Sequence, residues 1–206
     1  MSALDLNTPI TEIKFAVADT ETTGMVPERG AKLVEIAAVL IEPPLTLNQQ
    51  NCFSTLINPE INIPYQVSRI HGITNKTVLN APLTKEAMQQ FIERVDGCVL
   101  VFHNAPFDMR FINSALSDCQ LAPTFTHVLD TVKLSRRLYP TLKSHSLDAL
   151  IEYHSLVNHR QDGSYRHRAL YDSDFTAMLF LIFMEELLQR GVGSIGDLFD
   201  FLKRKK

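Results

Sequence analysis

The sequence predicts an α/β protein with one mixed sheet and helices packed on its faces. Three observations carry this expectation. The early chain holds three apolar, strand-like runs whose linkers are too short for a crossover helix, so they should form an antiparallel meander. The hydrophobic period then lengthens, and helical stretches alternate with two further short apolar runs. The chain has 206 residues, about one domain of roughly 100–200 residues. Its 45% hydrophobic content is enough to build a core.

The first strand is Ile13–Asp19 (IKFAVAD), followed by a polar loop, Thr20–Gly24. Lys32–Glu42 is rich in β-branched and apolar residues and reads as the second strand, stopped by Pro43-Pro44. Asn51–Ile57 alternates and reads as the third. Thr84 caps a helix over Glu86–Val95, with Phe91, Ile92 and Val95 on one face. Cys98–Phe102 is wholly apolar and suits a buried strand. Pro106 suits the first turn of a helix reaching about Cys119. His127–Leu129 supplies a fifth strand, and Asp130 is the natural N-cap of a helix through Leu138. Ser146–Tyr153 is a short helix. Arg168–Arg190 is a long one with apolar positions at 175, 178, 179, 182 and 183, ended by Gly191. In such a sheet, strands one and four can be neighbours. Asn158–Arg166 is polar and aperiodic and reads as a mobile loop. The stretch after Gly193 ends in Lys203-Arg204-Lys205-Lys206, a solvated tail. The expected organisation is one domain over residues 1–206, with its core at about 13–191.

A net charge of −3 argues against a protein that coats nucleic acid by bulk charge, though not against a nucleic-acid enzyme. Cys52, Cys98 and Cys119 are widely spaced and form no Cys-x-x-Cys pair. A zinc site, a redox pair and a disulfide scaffold are thus disfavoured, and a reducing compartment fits. The N-terminus lacks a signal-peptide pattern. The longest apolar run, Met178–Met184, falls far short of the roughly 20 residues that span a bilayer. A soluble, cytoplasmic protein without membrane contact is expected.

Candidate chemistry lies at three places. Asp19 and Glu21 stand at i, i+2 on an extended segment and point to one side, where they can share a hard cation. On spacing alone they also read as a solvated turn. His103 and Asp108 follow the buried fourth strand, and Asp108 at a helix start also reads as an acid that complements the helix dipole. His167 and Asp172 are five residues apart, about 140° around a helix. To serve one site, His167 must precede the helix and Asp172 must lie in its first turn; a solvated loop histidine and a first-turn acid is the plain alternative. Asp130 and Asp174 are acids nearby with structural explanations. Jointly, Asp19, Glu21, Asp108 and Asp172 should gather at one sheet edge, where four carboxylates need cations to offset their repulsion.

The strings DTETTGM at 19–25, IHGIT at 70–74, HNAPFD at 103–108, LDT at 129–131, SLDAL at 146–150 and HRALYD at 167–172 resemble those of the DnaQ-like, DEDDh class of 3′→5′ exonucleases. That class includes the proofreading epsilon subunit of bacterial DNA polymerase III. The resemblance runs from about Phe15 to Gly191. It implies an RNase H-like fold and metal-dependent release of nucleoside monophosphates from the 3′ end of single-stranded DNA. It implies two divalent cations, Mg²⁺ or Mn²⁺, with Asp19 bridging both, Glu21 and Asp172 completing one, and Asp108 holding the other. His167 would deprotonate the attacking water. Thr22, Met25, Gln66, His71, His103, Asn104 and Phe107 would contact the terminal nucleotide. A DNA polymerase subunit is the implied partner. Lys133, Arg136, Arg137, Lys143, Arg166 and Arg168 are candidate backbone contacts, and each also reads as a solvated charge. An exoribonuclease, or a non-catalytic module that binds nucleic acid or a protein partner, is the alternative.

Overall fold

Residues 4–123, 125, 127–157 and 167–203 are described by a computed structural model. Among them, five strands form one sheet: β1 (Phe15–Thr22), β2 (Leu33–Glu42), β3 (Thr46–Leu56), β4 (Val99–Phe102) and β5 (Val128–Asp130), in the order β3-β2-β1-β4-β5. The first three make the expected antiparallel meander, while β4 runs parallel to β1 and β5 parallel to β4. Strands one and four are neighbours, as the element order allows. The helices are α1 (Tyr65–His71), α2 (Asn75–Val78), α3 (Thr84–Arg94), α4 (Ala105–Cys119), α5 (Thr131–Leu138), α6 (Leu147–Tyr153), α7 (Ala169–Gln189) and α8 (Ile195–Lys203).

Several boundaries differ from the sequence expectation. The polar run expected as a loop after Asp19 is largely strand, because Thr20 and Glu21 continue to pair with Ile36 and Glu35 of β2. β3 begins at Thr46 rather than Asn51, since its polar first half pairs with Ile41 and Glu42 while alternate residues face solvent. Thr84 is the first residue of α3 and not its cap; Leu83 holds that place without a capping side chain. Helices α1, α2 and α8 were not anticipated. The first two are only about two turns and one turn long, with no long apolar period to betray them, and α2 is set by a reciprocal capping box between Thr74 and Thr77. The expected loop Asn158–Arg166 lies outside the described residues.

The core has two layers, one on each sheet face. Successive strand residues alternate between faces. Phe15 and Val17 of β1 pack with α5, α6, α7 and α8, whereas Ala16 and Ala18 pack with α3 and α4. β4 splits the same way, with Val99 and Val101 on the α7 side and Leu100 and Phe102 on the α4 side. A smaller cluster of Val34, Ile63, Ile73 and Val78 anchors the 58–83 excursion. The two ends of the described chain are clasped together: Ile10 N donates to Gly193 O (2.9 Å), Ile195 N to Thr8 O (3.0 Å) and Gly196 N to Leu6 O (2.9 Å). No described helix is long and apolar enough to cross a membrane.

Candidate active site

Strand alternation divides the predicted carboxylates into three and one. Asp19 and Glu21 continue the face of Phe15 and Val17, which is covered by α7. Asp172 stands in the first turn of α7 and meets them there. One carboxylate oxygen from each of Asp19, Glu21 and Asp172 lies within 4.8 Å of the other two. Thr20, between the two strand acids, points to the opposite face, where α4 begins. Its hydroxyl donates to Asp108 Oδ1 at 2.7 Å. Asp108 is 2% exposed and stands outside the group of three whose oxygens lie within 4.8 Å, though near enough for its charge to act on Glu21.

The crowding has an electrostatic signature. Burial first, then the charges of Asp172, Glu35 and Asp108, push the Glu21 carboxyl up to about 9, against a smaller opposing pull from Arg168. Burial pushes Asp108 up as well, while the Thr20 hydroxyl and the backbone amides of Asp108 and Thr20 hold it down. Without a cation the cluster therefore retains a proton at neutral pH. Three converging oxygen ligands of this kind suit a hard divalent ion, so the residues present fit the metal site the sequence implies.

The ends of β4 and β5 supply the next wall, at the carboxyl ends of neighbouring parallel strands where ligand crevices form. Asn104 enters α4 in a left-handed conformation (φ 70°), and its N–H donates to Asp130 Oδ1 at 3.2 Å. The same oxygen accepts from Val132 N at 2.9 Å and caps α5, the structural role expected of Asp130. His103 Nδ1 lies 2.9 Å from Thr131 Oγ1, which ties the ring to α5.

His167 stands two residues before α7, exposed and left-handed (φ 64°), with Asp172 one turn inside the helix. This is the loop-then-helix placement that the five-residue spacing requires. Arg168 between them turns inward onto Glu35 of β2, with Nε–Oε2 3.0 Å and Nη2–Oε1 2.6 Å. Sequence reasoning missed Glu35, although a lone acid inside the run LVEIAAVLI was a usable signal, because a buried carboxylate needs a partner.

The proposed nucleotide contacts separate by exposure. Met25 is 71% exposed, Gln66 is exposed and Phe107 half-buried. Thr22 is buried, and its hydroxyl donates to Gly24 O at 2.6 Å. His71 is 1% exposed. Its Nδ1 accepts from Ile73 N at 3.0 Å, and burial shifts the ring toward neutrality against a hydrogen bond to the Thr22 backbone. Thr22 and His71 are thus both buried, and the His71 ring is joined to the Thr22 backbone.

Asp19, Asp172, His167, His103 and Asn104 line one cleft of about 680 Å³. Its far side carries Arg136, Lys143 and His145, and His145 Nδ1 is held 2.6 Å from the buried Ser135 hydroxyl. Neither Arg136 nor Lys143 has an ion-pair partner among the described residues, unlike Lys14, Lys32, Arg110 and Arg168. Of the other basic candidates, Arg137 donates to Leu202 O, Arg168 is committed to Glu35, Lys133 is exposed and Arg166 lies outside the described residues.

Comparison with known proteins places the chain in a family. The exonuclease family model RNase_T matches residues 16–180. A DNA polymerase III subunit epsilon-like protein of Rhodobacter capsulatus is 38% identical over 190 residues, which cover 92% of this chain and 26% of that protein's length. A DNA polymerase III subunit epsilon of Rickettsia conorii is 33% identical over 181 residues, covering 85% of this chain and 75% of that protein. Among solved structures, exonuclease X in complex with 5′-overhanging duplex DNA is 31% identical, with a TM-score of 0.68 over 84% of this chain and 92% of that one. The extent of the family match, the mixed five-stranded sheet of RNase H-like type and the carboxylate cluster on β1 and α7 all lead to one assignment. The chain belongs to the RNase T exonuclease family, the DnaQ-like 3′→5′ exonucleases.

Proposed function

We propose that the chain forms one exonuclease domain that hydrolyses the 3′-terminal phosphodiester of single-stranded DNA with two divalent cations. The observation that carries this reading is the cluster of Asp19, Glu21 and Asp172 within 4.8 Å, two of which line a cleft with His167, Arg136 and Lys143, the last two without an ion-pair partner among the described residues. Bound there, Mg²⁺ or Mn²⁺ would supply charge neutralisation at the phosphate and a lowered water pKa. Asp19, Glu21 and Asp172 hold the ions, with Asp108 supporting the second from behind Thr20. His167, exposed at the cleft mouth, accepts the proton of the attacking water at its imidazole. Arg136 and Lys143 face the strand's phosphates. Met25 and Phe107 offer apolar surface to the terminal base, with Gln66, His103 and Asn104 as polar contacts. Stacking and backbone contacts of this sort grip one strand without reading base edges. DNA is favoured by the DNA-bound exonuclease X, and a polymerase partner by the epsilon relatives.

A gel time course tests the reading. Matched 5′-labelled single-stranded DNA and RNA are incubated in Mg²⁺ and in Mn²⁺ with wild type, Asp19→Ala and His167→Ala. The expected outcome is a DNA ladder shortening from the 3′ end, absent in Asp19→Ala. His167→Ala should lose about 10²-fold or more in kcat with little change in KM. A faster RNA ladder would reassign the substrate. No ladder from folded protein would remove the catalytic reading and favour a binding module.

A further inference from the structure

We infer that Glu35 is the positioning residue that sets His167 over the cleft, acting through the start of α7; the inference rests on the nuclease reading above. Glu35 lies within β2 at 2% exposure, between the apolar Val34 and Ile36. A carboxylate persists in such a place only where its hydrogen-bonding capacity is used. Here it accepts three hydrogen bonds from two consecutive residues: Arg168 Nε at 3.0 Å, Arg168 Nη2 at 2.6 Å and Ala169 N at 3.0 Å. The two-point fork orients the guanidinium. The third bond satisfies an orphan amide in the first turn of α7, whose own N-cap, Arg168, offers no capping side chain.

His167 depends on that anchor most directly, whereas Asp172 is held by the first turn of the helix itself. Arg168 follows His167 directly, and its carbonyl accepts from Asp172 N at 3.0 Å. His167 holds a left-handed backbone (φ 64°), which an L-residue keeps only when its surroundings enforce it. The anchor comes from the far side of β1, across the pairing of Glu21 with Glu35. It therefore sets the α7 start against the strand that carries the acids. Glu35 is outside the group of converging ligand oxygens, and its charge is matched by Arg168. It serves position rather than ligation.

The test combines steady-state kinetics with metal titration on wild type, Glu35→Gln, Arg168→Lys, His167→Ala and the double variant Glu35→Gln/His167→Ala. Melting curves establish that each is folded. If Glu35→Gln does not fold, Arg168→Lys, which keeps the charge and the Ala169 cap but loses the fork, carries the same measurements, alone and combined with His167→Ala. Glu35→Gln should lower kcat about tenfold or more and leave KM within about twofold. Calorimetric Mn²⁺ affinity without nucleic acid should stay within about threefold. In the His167→Ala background, Glu35→Gln should cost less than about twofold further, because the residue through which it acts is gone. Additive losses in the double variant, or a Mn²⁺ affinity that falls along with kcat, overturn the inference. An active wild type with unchanged Glu35→Gln and Arg168→Lys overturns it alone. A wild type that leaves every strand intact overturns the nuclease reading and this inference together.

Discussion

Glu21 concentrates the electrostatics of the site in one side chain. It faces Glu35 across the β1–β2 pairing and converges with Asp19 and Asp172, so its carboxyl rises from 4.5 to about 9 in the metal-free protein. The sign of the stability effect follows. A raised pKa means that the folded state holds a proton the unfolded chain releases. That contribution is fully present below about pH 4.5 and is lost as pH rises through about 9. The melting temperature of metal-free protein should therefore fall between about pH 5 and 9, and Glu21→Gln should flatten the fall. Saturating Mn²⁺ should stabilise the protein more at pH 8 than at pH 6, because ligation requires the ionised carboxylate. Differential scanning fluorimetry across pH, with and without Mn²⁺, checks both; a pH-independent Mn²⁺ shift would contradict the account. The i, i+2 spacing of Asp19 and Glu21 showed that they share a side. Nothing in the sequence indicated that Thr20 would hold Asp108 on the other side, because that contact joins residues 88 positions apart.

At the level of elements, the cleft is made by strand ends and helix starts locked to one another. Asp130 is the joint between β4 and β5, since one oxygen serves both Asn104 N and the α5 cap. Asp130→Ala should destabilise the protein by about 1–2 kcal/mol through the lost cap, measured by urea denaturation. It should also raise KM by loosening Asn104; an unchanged KM with the expected stability loss would confine Asp130 to capping. The long helices α4 and α7 were legible because their apolar periods are sustained and their termini carry Pro106 and Gly191. Helices α1 and α2 were not, because elements of seven and four residues are stabilised by what they pack on rather than by their own pattern. The polar half of β3 escaped for a related reason: its strand character comes from pairing with β2.

Over the whole molecule, the clasp between the N-terminal segment and α8 closes the α7 side of the core. Ile10, Ile195 and Leu198 are fully buried there beside Phe180 and Phe183. Gly196 permits the close approach, because a Cβ at that position would lie 2.8 Å from Leu6 O. Gly196→Ala should therefore cost about 1–3 kcal/mol of stability by forcing the two segments apart. Its kcat should stay near wild type at temperatures where it is folded, since no residue of the clasp belongs to the carboxylate cluster. Denaturant melts beside the exonuclease assay check this, and a selective loss of kcat would couple the clasp to the site. The clasp illustrates where sequence reading stops. Local pattern was sufficient for the order of strands and long helices, and it allowed β1 and β4 to be adjacent, because hydrophobic period and motif spacing are properties of neighbouring residues. The division of the acids between two sheet faces, the burial of His71 and Thr22, the Glu35–Arg168 anchor and the joining of residues 6–10 to 193–196 all required the folded chain. Each depends on which distant segment fills the other side of a contact, and that is settled by packing across the sheet rather than by any stretch of sequence alone.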